Sequence, residues 1–386
     1  MGRFARLATD LGSVGENRAK LRRLLVLIPS RAEGKRVLAL TGDLKREARL
    51  QPGIHVDVFV ILDGAEDSVE AALGAEETGV LVKSPAGPSK GAALAFATAW
   101  LDHRGDLIDR ADFVFVFDAD MRLPETWLEQ LQNEVPADAA AFQLPVRPAG
   151  EPATGAARVE SFSLAVATRV EDLVRDARSL PVRLRGKAMG FSPHAWRAGP
   201  ATASRTHAED SEATIALLAR GVRVRALRGP VAFDEASGGR SAMASPRARW
   251  LAGHWKLAFV AWRDLVRIAR TRPLSGFVLA ADLFLRPRLF VFGYLLLVSL
   301  GSAVALALGH DDPALLALFT MGWGTLVLEL GYLRTARRLI GYSPEVPAVR
   351  VRDIAAAAFV WGFALMRAVT APGRWHRARP EGTDRP

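Results

Sequence analysis

Apolar residues in the first third of the chain fall in short unbroken runs, and each run is closed by polar or charged residues. Leu24 to Ile28 (LLVLI) ends at Pro29-Ser30-Arg31-Ala32-Glu33-Gly34, and Val56 to Leu62 (VDVFVIL) ends at Asp63-Gly64. A shorter run, Val80 to Val82, precedes the loop SPAGPSKG, and Phe113 to Phe117 (FVFVF) stops at Asp118-Ala119-Asp120. Lys35 to about Arg49 and Ala92 to Leu101 have helical spacing, with a further helix between the second and third runs. The order βαβαβαβ predicts an α/β fold with a doubly wound, mostly parallel sheet. A run apolar at every position reads as a strand covered on both faces. The residues that close the runs then emerge together at the carboxyl edge of the sheet, where open α/β sheets bind their ligands.

That edge collects chemistry. Asp118 and Asp120 are carboxylates one residue apart, which repel unless a cation shares them. Mg²⁺ or Mn²⁺ carrying a diphosphate would do so, since such ions take one or two carboxylates plus phosphate oxygens. Alternatively, one Asp caps the next helix and the other is solvated. Glu33, Asp63 and Lys90 also have ordinary readings, Asp63 as the start of a turn and Lys90 as a loop lysine. Together with Asp118 and Asp120 they form a base-side acid, a phosphate-side cation and a metal-binding pair. No G-x-G-x-x-G follows the first strand and no G-x-x-x-x-G-K-[ST] occurs, which disfavours dinucleotide oxidoreductases and P-loop NTPases.

The pattern changes after about position 250. From Trp255, residues Phe259, Trp262, Val266 and Ala269 form one helical stripe, with Lys256, Arg263, Arg267 and Arg270 beside it. Such a helix suits the headgroup plane of an anionic leaflet. Leu289 to Leu308 carries no charge, and Pro313 to Leu333 carries only Glu329. Each is long enough to cross ~30 Å of hydrocarbon, so they predict a hairpin. Its turn, GHDD, lacks basic residues, whereas Arg286, Arg288, Arg334, Arg337 and Arg338 flank it, which places both ends and the preceding domain in the cytosol. Ile354 to Val369 contains Arg367 and reads as an interfacial or re-entrant helix, because spanning would export Arg374, Arg377 and Arg379.

Composition agrees. The net charge of +10 over 386 residues comes mainly from arginines, many of them beside the apolar runs, which favours a membrane surface over nucleic acid. There is no cysteine, so disulfides and thiolate metal sites are excluded. The N-terminus shows no apolar h-region, and no cleaved signal peptide is expected.

These residues resemble the family-2 glycosyltransferases, inverting enzymes of the GT-A fold that include the cellulose-synthase-like membrane proteins, from about Leu24 to the C-terminus. IPSRAEG is similar to the family's P-A-x-N-E turn, with Ala32 where Asn is usual. VFVILDGAEDS is similar to V-V-x-D-G-S-x-D, PSKGAALAFA to G-K-G-x-A-L-N, and DAD to D-x-D. Farther on, GKAMGFSPHAWR resembles the acceptor-side G-x-x-M-x-F stretch, which includes Met189. HAEDSEATIALLARGVRV resembles T-E-D-x-x-L-x-x-x-L-x-x-x-G, its Asp falling on Asp210. PRARW resembles Q-R-x-R-W, with Pro246 in place of Gln, and GRWHRARP resembles W-x-(K/R)-T-x-R.

The resemblance implies that Pro29, Glu33, Asp63, Lys90, Asp118, Asp120 and Arg249 bind a nucleotide diphosphate sugar, Asp63 at the uracil or other base. It also implies that Asp118 and Asp120 hold the divalent cation, and that Glu209, Trp250 and Met189 face the acceptor. Asp210, in the first turn of a helix, is the expected general base. Otherwise Glu209 and Asp210 only favour a helix N-terminus electrostatically, and Trp250 only begins an interfacial helix. The implied organisation is an N-terminal arm (1–22), a nucleotide-sugar-binding half (23–150) and an acceptor-side half (151–250). Interfacial amphipathic helices (251–288), a transmembrane hairpin (289–333), and a cytosolic loop, interfacial or re-entrant helix and basic tail (334–386) follow. The expected protein is an inner-membrane hexosyltransferase acting on a lipid-linked or polysaccharide acceptor in envelope or exopolysaccharide synthesis. Loss of Gln at position 246 favours single transfers over polymerisation. Two other readings are a catalytically silent assembly partner and a sugar nucleotidyltransferase. The latter would need a glycine-rich first turn with Arg and no hairpin.

Overall fold

A computed structural model describes residues 17–75, 78–104, 106–235, 240–284, 288–310 and 312–370. Most of the expected N-terminal arm, Arg286, Asp311 of the GHDD turn and the basic tail after Thr370 lie outside them.

The apolar runs form the strands they predict. β1 (Arg23–Ser30), α1 (Lys35–Leu50), β2 (His55–Asp63), α2 (Asp67–Ala75), β3 (Gly79–Lys83), α3 (Lys90–Asp102), α4 (Leu107–Arg110) and β4 (Phe113–Val116) alternate along the chain. The four strands are parallel in the order β3-β2-β1-β4. Every residue of β4 is buried. Phe115 joins a core layer with Val26, Ile28, Trp127 and Phe142 on one face. Val114 and Val116 join Leu25, Leu27, Phe191 and Trp196 on the other.

Beyond β4 come β5 (Met121–Arg122), α5 (Trp127–Glu134), β6 (Ala141–Gln143), β7 (Val146–Pro148) and α6 (Gly155–Val166). A π turn, Ala167–Glu171, leads from α6 into α7 (Asp172–Ala177). Then follow β8 (Met189–Phe191), α8 (Pro193–Ala198), α9 (Glu209–Ala219), β9 (Val224–Ala226) and β10 (Ala232–Asp234). The main sheet is completed as β3-β2-β1-β4-β8-β6-β9, with β8 antiparallel to both neighbours, and β5-β10-β7 form a small second sheet. The segment after the DAD loop is pinned to α1. Buried Asp43 accepts from Arg122 Nε at 2.7 Å and from Leu123 N at 3.1 Å.

The C-terminal third is helical: α10 (Arg240–Val260), α11 (Trp262–Thr271), α12 (Pro273–Phe284), α13 (Arg288–Ala307), α14 (Pro313–Ile340) and α15 (Val351–Thr370). The stripe expected on one helix from Trp255 is divided at Ala261, which sits non-helically between α10 and α11. Leu257, Ala258, Ala261 and Ile268 face the protein, while Phe259, Trp262 and Val266 stay exposed, so these helices are apolar on two sides. Trp250 lies in the middle of α10 and does not begin a helix. α13 and α14 pack as the expected hairpin, close enough that a Cβ on Gly322 would stand 2.0 Å from Ser299 Oγ. α14 runs past Leu333 and carries its arginines in its last turns.

α15 is unbroken over 20 residues, without the internal turn of a re-entrant segment. Asp353, Ala357, Val360, Ala364 and Ala368 are buried, and its other side exposes Ile354, Phe359, Phe363, Met366 and Val369. Its first half packs on α6, where Arg158 Nη2 and Nε meet Asp353 at 2.8 and 3.2 Å. Its second half packs on α10. Among the described residues, α13, α14 and α15 are long and apolar enough to cross a membrane.

Candidate active site

The strand ends converge as their pattern implies. Lys90 is the first residue of α3, capped by Ser89, whose Oγ accepts from Ala92 N at 3.2 Å. Its ammonium donates to Asp118 Oδ1 and to the Gly186 carbonyl, tying the DAD loop to the loop before β8. The next position must be glycine, because a Cβ there would stand 2.1 Å from the Ala203 carbonyl oxygen and 3.2 Å from Glu209 Cβ. This close approach brings α9 over the start of α3.

Asp118 and Asp120 have opposite environments. Burial pushes Asp118 up, but Lys90 and then Lys187 outweigh it and hold the carboxyl below its usual range. Burial pushes Asp120 up to about 7, aided by Asp234 and Asp118. Asp234 and Lys187 were not singled out from the sequence. Asp234 pairs in register with Met121 and donates order to the DAD loop through Glu235 N, 3.1 Å from the Asp120 carbonyl oxygen. Lys187 donates to Asp234, and despite burial its pKa is raised by Asp234, Asp118 and Asp120. The carboxylates of Asp118, Asp120 and Asp234 are hard oxygen donors of the type Mg²⁺ and Mn²⁺ take. Among the described residues, no three His, Asp or Glu side chains are arranged as a metal site by themselves.

Asp63 is fully buried. Its Oδ1 accepts from Gly87 N at 2.7 Å, and its Oδ2 lies 3.4 Å from Arg31 Nη1 with no hydrogen-bond donor of its own. Glu33 is raised by burial, then lowered by Arg36 and raised by Asp118, which places it near the DAD loop. Pro29 is buried in β1 opposite Ile61. Ala32 has φ 57°, the left-handed region that Asn tolerates better than Ala. Ala32→Asn is therefore expected to raise the melting temperature slightly, by the equivalent of ~0.5–1 kcal/mol; thermal unfolding of the two proteins checks it.

Across from the DAD loop stand Glu209 and Asp210. Burial and then Asp210 push Glu209 up to about 7. Helix α9 does not rely on them for its start: Glu212, itself buried, accepts from Thr206 N at 3.2 Å and from Arg205 Nε at 2.6 Å. Among the described residues, Asp210 Oδ1 accepts only from Ser211 N, at 2.7 Å. Ser211 Oγ lies 3.1 Å from His254 Nε2, and His254 Nδ1 lies 3.0 Å from the Trp250 carbonyl oxygen. A carbonyl only accepts, so Nδ1 carries the proton and Ser211 donates to Nε2. Burial and Arg183 keep His254 below its usual range, although Asp210 opposes them.

Arg249 reaches the same cleft. Burial lowers its pKa, and Glu209, Asp118 and Arg31 are the charges it feels. Trp250 lies against His254 with the rings tilted at 45° and 3.8 Å between centroids, and meets Trp361 of α15 edge-on at 6.4 Å. His207, lowered by burial and then Arg249, is a neighbour of the cleft. Met189 differs from its expected place: it is a buried strand residue opposite Val116 in the core, 3 % exposed, and not at an open acceptor surface.

No protein-family model matches the sequence, and no curated protein matches it. Solved structures do. The mannosyltransferase PcManGT from Pyrobaculum calidifontis, in complex with GDP-mannose and Mn²⁺, is 16 % identical and superposes over 93 % of each chain with a TM-score of 0.52. Glucosyl-3-phosphoglycerate synthase from Mycobacterium tuberculosis, with Mn²⁺, UDP and glucosyl-3-phosphoglycerate, is 15 % identical over 61 % of this chain and 79 % of its own, TM-score 0.40. TarS of S. aureus is 10 % identical over 88 % and 90 %, TM-score 0.40. The first match extends over nearly all of both chains and shows that this chain has the GT-A fold.

Proposed function

We propose that the protein is a membrane-bound, metal-dependent inverting glycosyltransferase that moves a sugar from a nucleoside diphosphate donor to a lipid-linked or glycan acceptor. The observation that carries this reading is the junction at Lys90. Its ammonium joins Asp118 to the Gly186 loop, with Asp120 and Asp234 on one side and Glu209 and Asp210 on the other. The neighbour PcManGT, solved with GDP-mannose and Mn²⁺, supports the donor class.

In this reading Asp63 and Arg31 receive the base, while Lys90 and Arg249 face the diphosphate. Asp118, Asp120 and Asp234 would hold the cation, which when bound neutralises charge on the departing diphosphate. Asp210 takes the proton of the acceptor hydroxyl as that oxygen attacks the anomeric carbon from the face opposite the diphosphate. One displacement with one base inverts the configuration. Trp250 forms the floor for the acceptor sugar.

The hairpin α13–α14 anchors the chain with its catalytic domain on the cytosolic side, on the strength of the flanking arginines. α15 lies in the interface, because its buried stripe contacts α6 and α10 along its length while its exposed side is apolar. Incubating membranes that contain the full chain with a panel of nucleotide sugars and Mn²⁺ or Mg²⁺ tests the activity. Divalent-dependent release of nucleoside diphosphate with a glycosylated lipid or glycan product is expected. Release unaffected by EDTA, or none with any donor, refutes the reading. Topology has its own test in this cysteine-free chain. A cysteine at His310 should react with an impermeant thiol reagent in sealed cells, and one at Ser343 should not; equal labelling removes the hairpin.

A further inference from the structure

Helix α10 lies across the start of α9, and the contact is closest at Gly253, where a Cβ would stand 2.9 Å from Ala208 N and 3.0 Å from the His207 carbonyl carbon. A residue without a side chain lets the two backbones meet. The next residue, His254, is buried and commits both ring nitrogens to this junction. Its Nδ1–H donates to the Trp250 carbonyl at 3.0 Å, and its Nε2 accepts from Ser211 Oγ at 3.1 Å. The imidazole therefore touches two things the proposed reaction uses. One is Trp250, whose indole lies against the ring with 3.8 Å between centroids. The other is the first turn of α9, where the Ser211 amide donates to Asp210 Oδ1 at 2.7 Å.

The same turn is held from other sides as well. Thr214 Oγ1 donates to the Asp210 carbonyl at 2.9 Å and accepts from Leu184 N at 3.1 Å, which ties the turn to the loop before β8. Glu212 accepts from Thr206 N and Arg205 Nε, which ties it to the segment before α9. Neither set of bonds reaches α10. The Ser211–His254 hydrogen bond does. α10 is in turn seated on α15, with Ala248 and Leu251 against Ala364 and Ala368 and the Arg247 guanidinium 5.2 Å from the Trp361 ring centroid.

An acceptor lying on Trp250 presents its hydroxyl to Asp210 only if the two keep their spacing, and a misplacement of about 1 Å can cost roughly 10²-fold in rate. We propose that His254 is a positioning residue, whose imidazole sets the spacing between Trp250 and Asp210 by bonding the backbone of one and the helical turn of the other. The role rests on the glycosyltransferase reading above; the hydrogen bonds do not.

The test uses the full chain in detergent, with transfer rate and calorimetric donor affinity measured for His254→Leu, His254→Gln, Ser211→Ala and the His254→Leu/Ser211→Ala pair. His254→Leu and Ser211→Ala should each lower kcat by roughly 10–10²-fold at unchanged donor affinity. The pair should lose no more than the worse of the two, because both break one link. His254→Gln, whose Oε1 can still accept from Ser211, should recover part of the rate. Should His254→Leu fail to fold, Ser211→Ala and His254→Gln carry the same comparison. In an Asp210→Asn background, where the base is already gone, the His254 and Ser211 variants should slow residual transfer no further. A merely structural role predicts additive losses, the same factor lost with or without the Asp210 carboxylate, or a fall in donor affinity. Any of these, or no loss at all, overturns the positioning role.

The link also has a readout that needs no donor. In nitrogen NMR spectra of the chain carrying isotope-labelled histidine, the His254 signals, identified by their absence in His254→Gln, should show a neutral ring protonated at Nδ1. The Nε2 signal should move in Ser211→Ala. A ring protonated at Nε2, or an unmoved signal, overturns the proposal even where sugar is transferred. The expected spectra without transfer from any donor overturn the glycosyltransferase reading instead, and the role with it.

Discussion

Asp210→Asn should slow sugar transfer by at least ~10²–10⁴, the usual worth of general-base assistance, while leaving donor affinity unchanged. The proposed donor residues lie on the first sheet and at Arg249, whereas the Asp210 carboxylate, among the described residues, accepts from Ser211 N alone. Asn keeps the carbonyl oxygen that accepts from Ser211 N. Glu212, Thr206 and Arg205 continue to hold the start of α9, so the fold has no reason to give way. If Asp210 served only the helix N-terminus, its replacement would cost ~0.3–1 kcal/mol of stability and leave turnover nearly intact. Calorimetric donor affinity measured beside the transfer rate separates the two. A variant that binds donor normally and transfers within about tenfold of wild type would move the search for a base to Glu209 or His207.

Asp120→Asn should abolish metal-dependent transfer and yet leave the protein at least as stable as wild type in EDTA. Burial together with Asp234 and Asp118 raises Asp120 to about 7, so its charged form is disfavoured by the fold and a neutral amide of the same shape is not. The same negative surroundings would favour a divalent cation, whose charge would in turn offset that of a diphosphate. Loss of activity with retained melting temperature marks a group kept for function at the expense of stability. Parallel loss in Asp234→Asn would place the third carboxylate beside it. Transfer by Asp120→Asn that persists undiminished in EDTA would remove the metal from the mechanism.

The first sheet was legible because its strands are long, uniformly apolar and closed by acids. Asp234 obeys the same grammar, since Val231-Ala232-Phe233 is followed by Asp234 and Glu235. Its run is too short to stand out, and its meaning depends on pairing with Met121, which no local pattern encodes. Lys187 was invisible for the same reason. The break at Ala261 lacks Gly or Pro and lies where Leu257, Ala261 and Ile268 share a cluster with Leu279 and Leu283 of α12, so periodicity alone reads α10 and α11 as continuous. Met189 shows the converse error. Motif resemblance placed it at the acceptor, but strand parity opposite Val116 turns its side chain inward. Ala32, which stands where the resembled motif carries Asn, occupies the left-handed conformation that Asn tolerates better than Ala.

The contact between α15 and α10 works as a gauge of height. From Asp353 to Ala368 the helix spans ~22 Å at 1.5 Å per residue, seated throughout on the catalytic domain. Trp361, partway along it, meets Trp250, and Trp250 is linked through His254 and Ser211 to Asp210. If the outer face of α15 lies in the interface, as proposed, Asp210 would be held at one fixed elevation above the leaflet. An acceptor hydroxyl carried close to the headgroups would then meet it, and the far end of a long anchored glycan would pass overhead, so that the proposed enzyme would select by reach before any sugar is recognised.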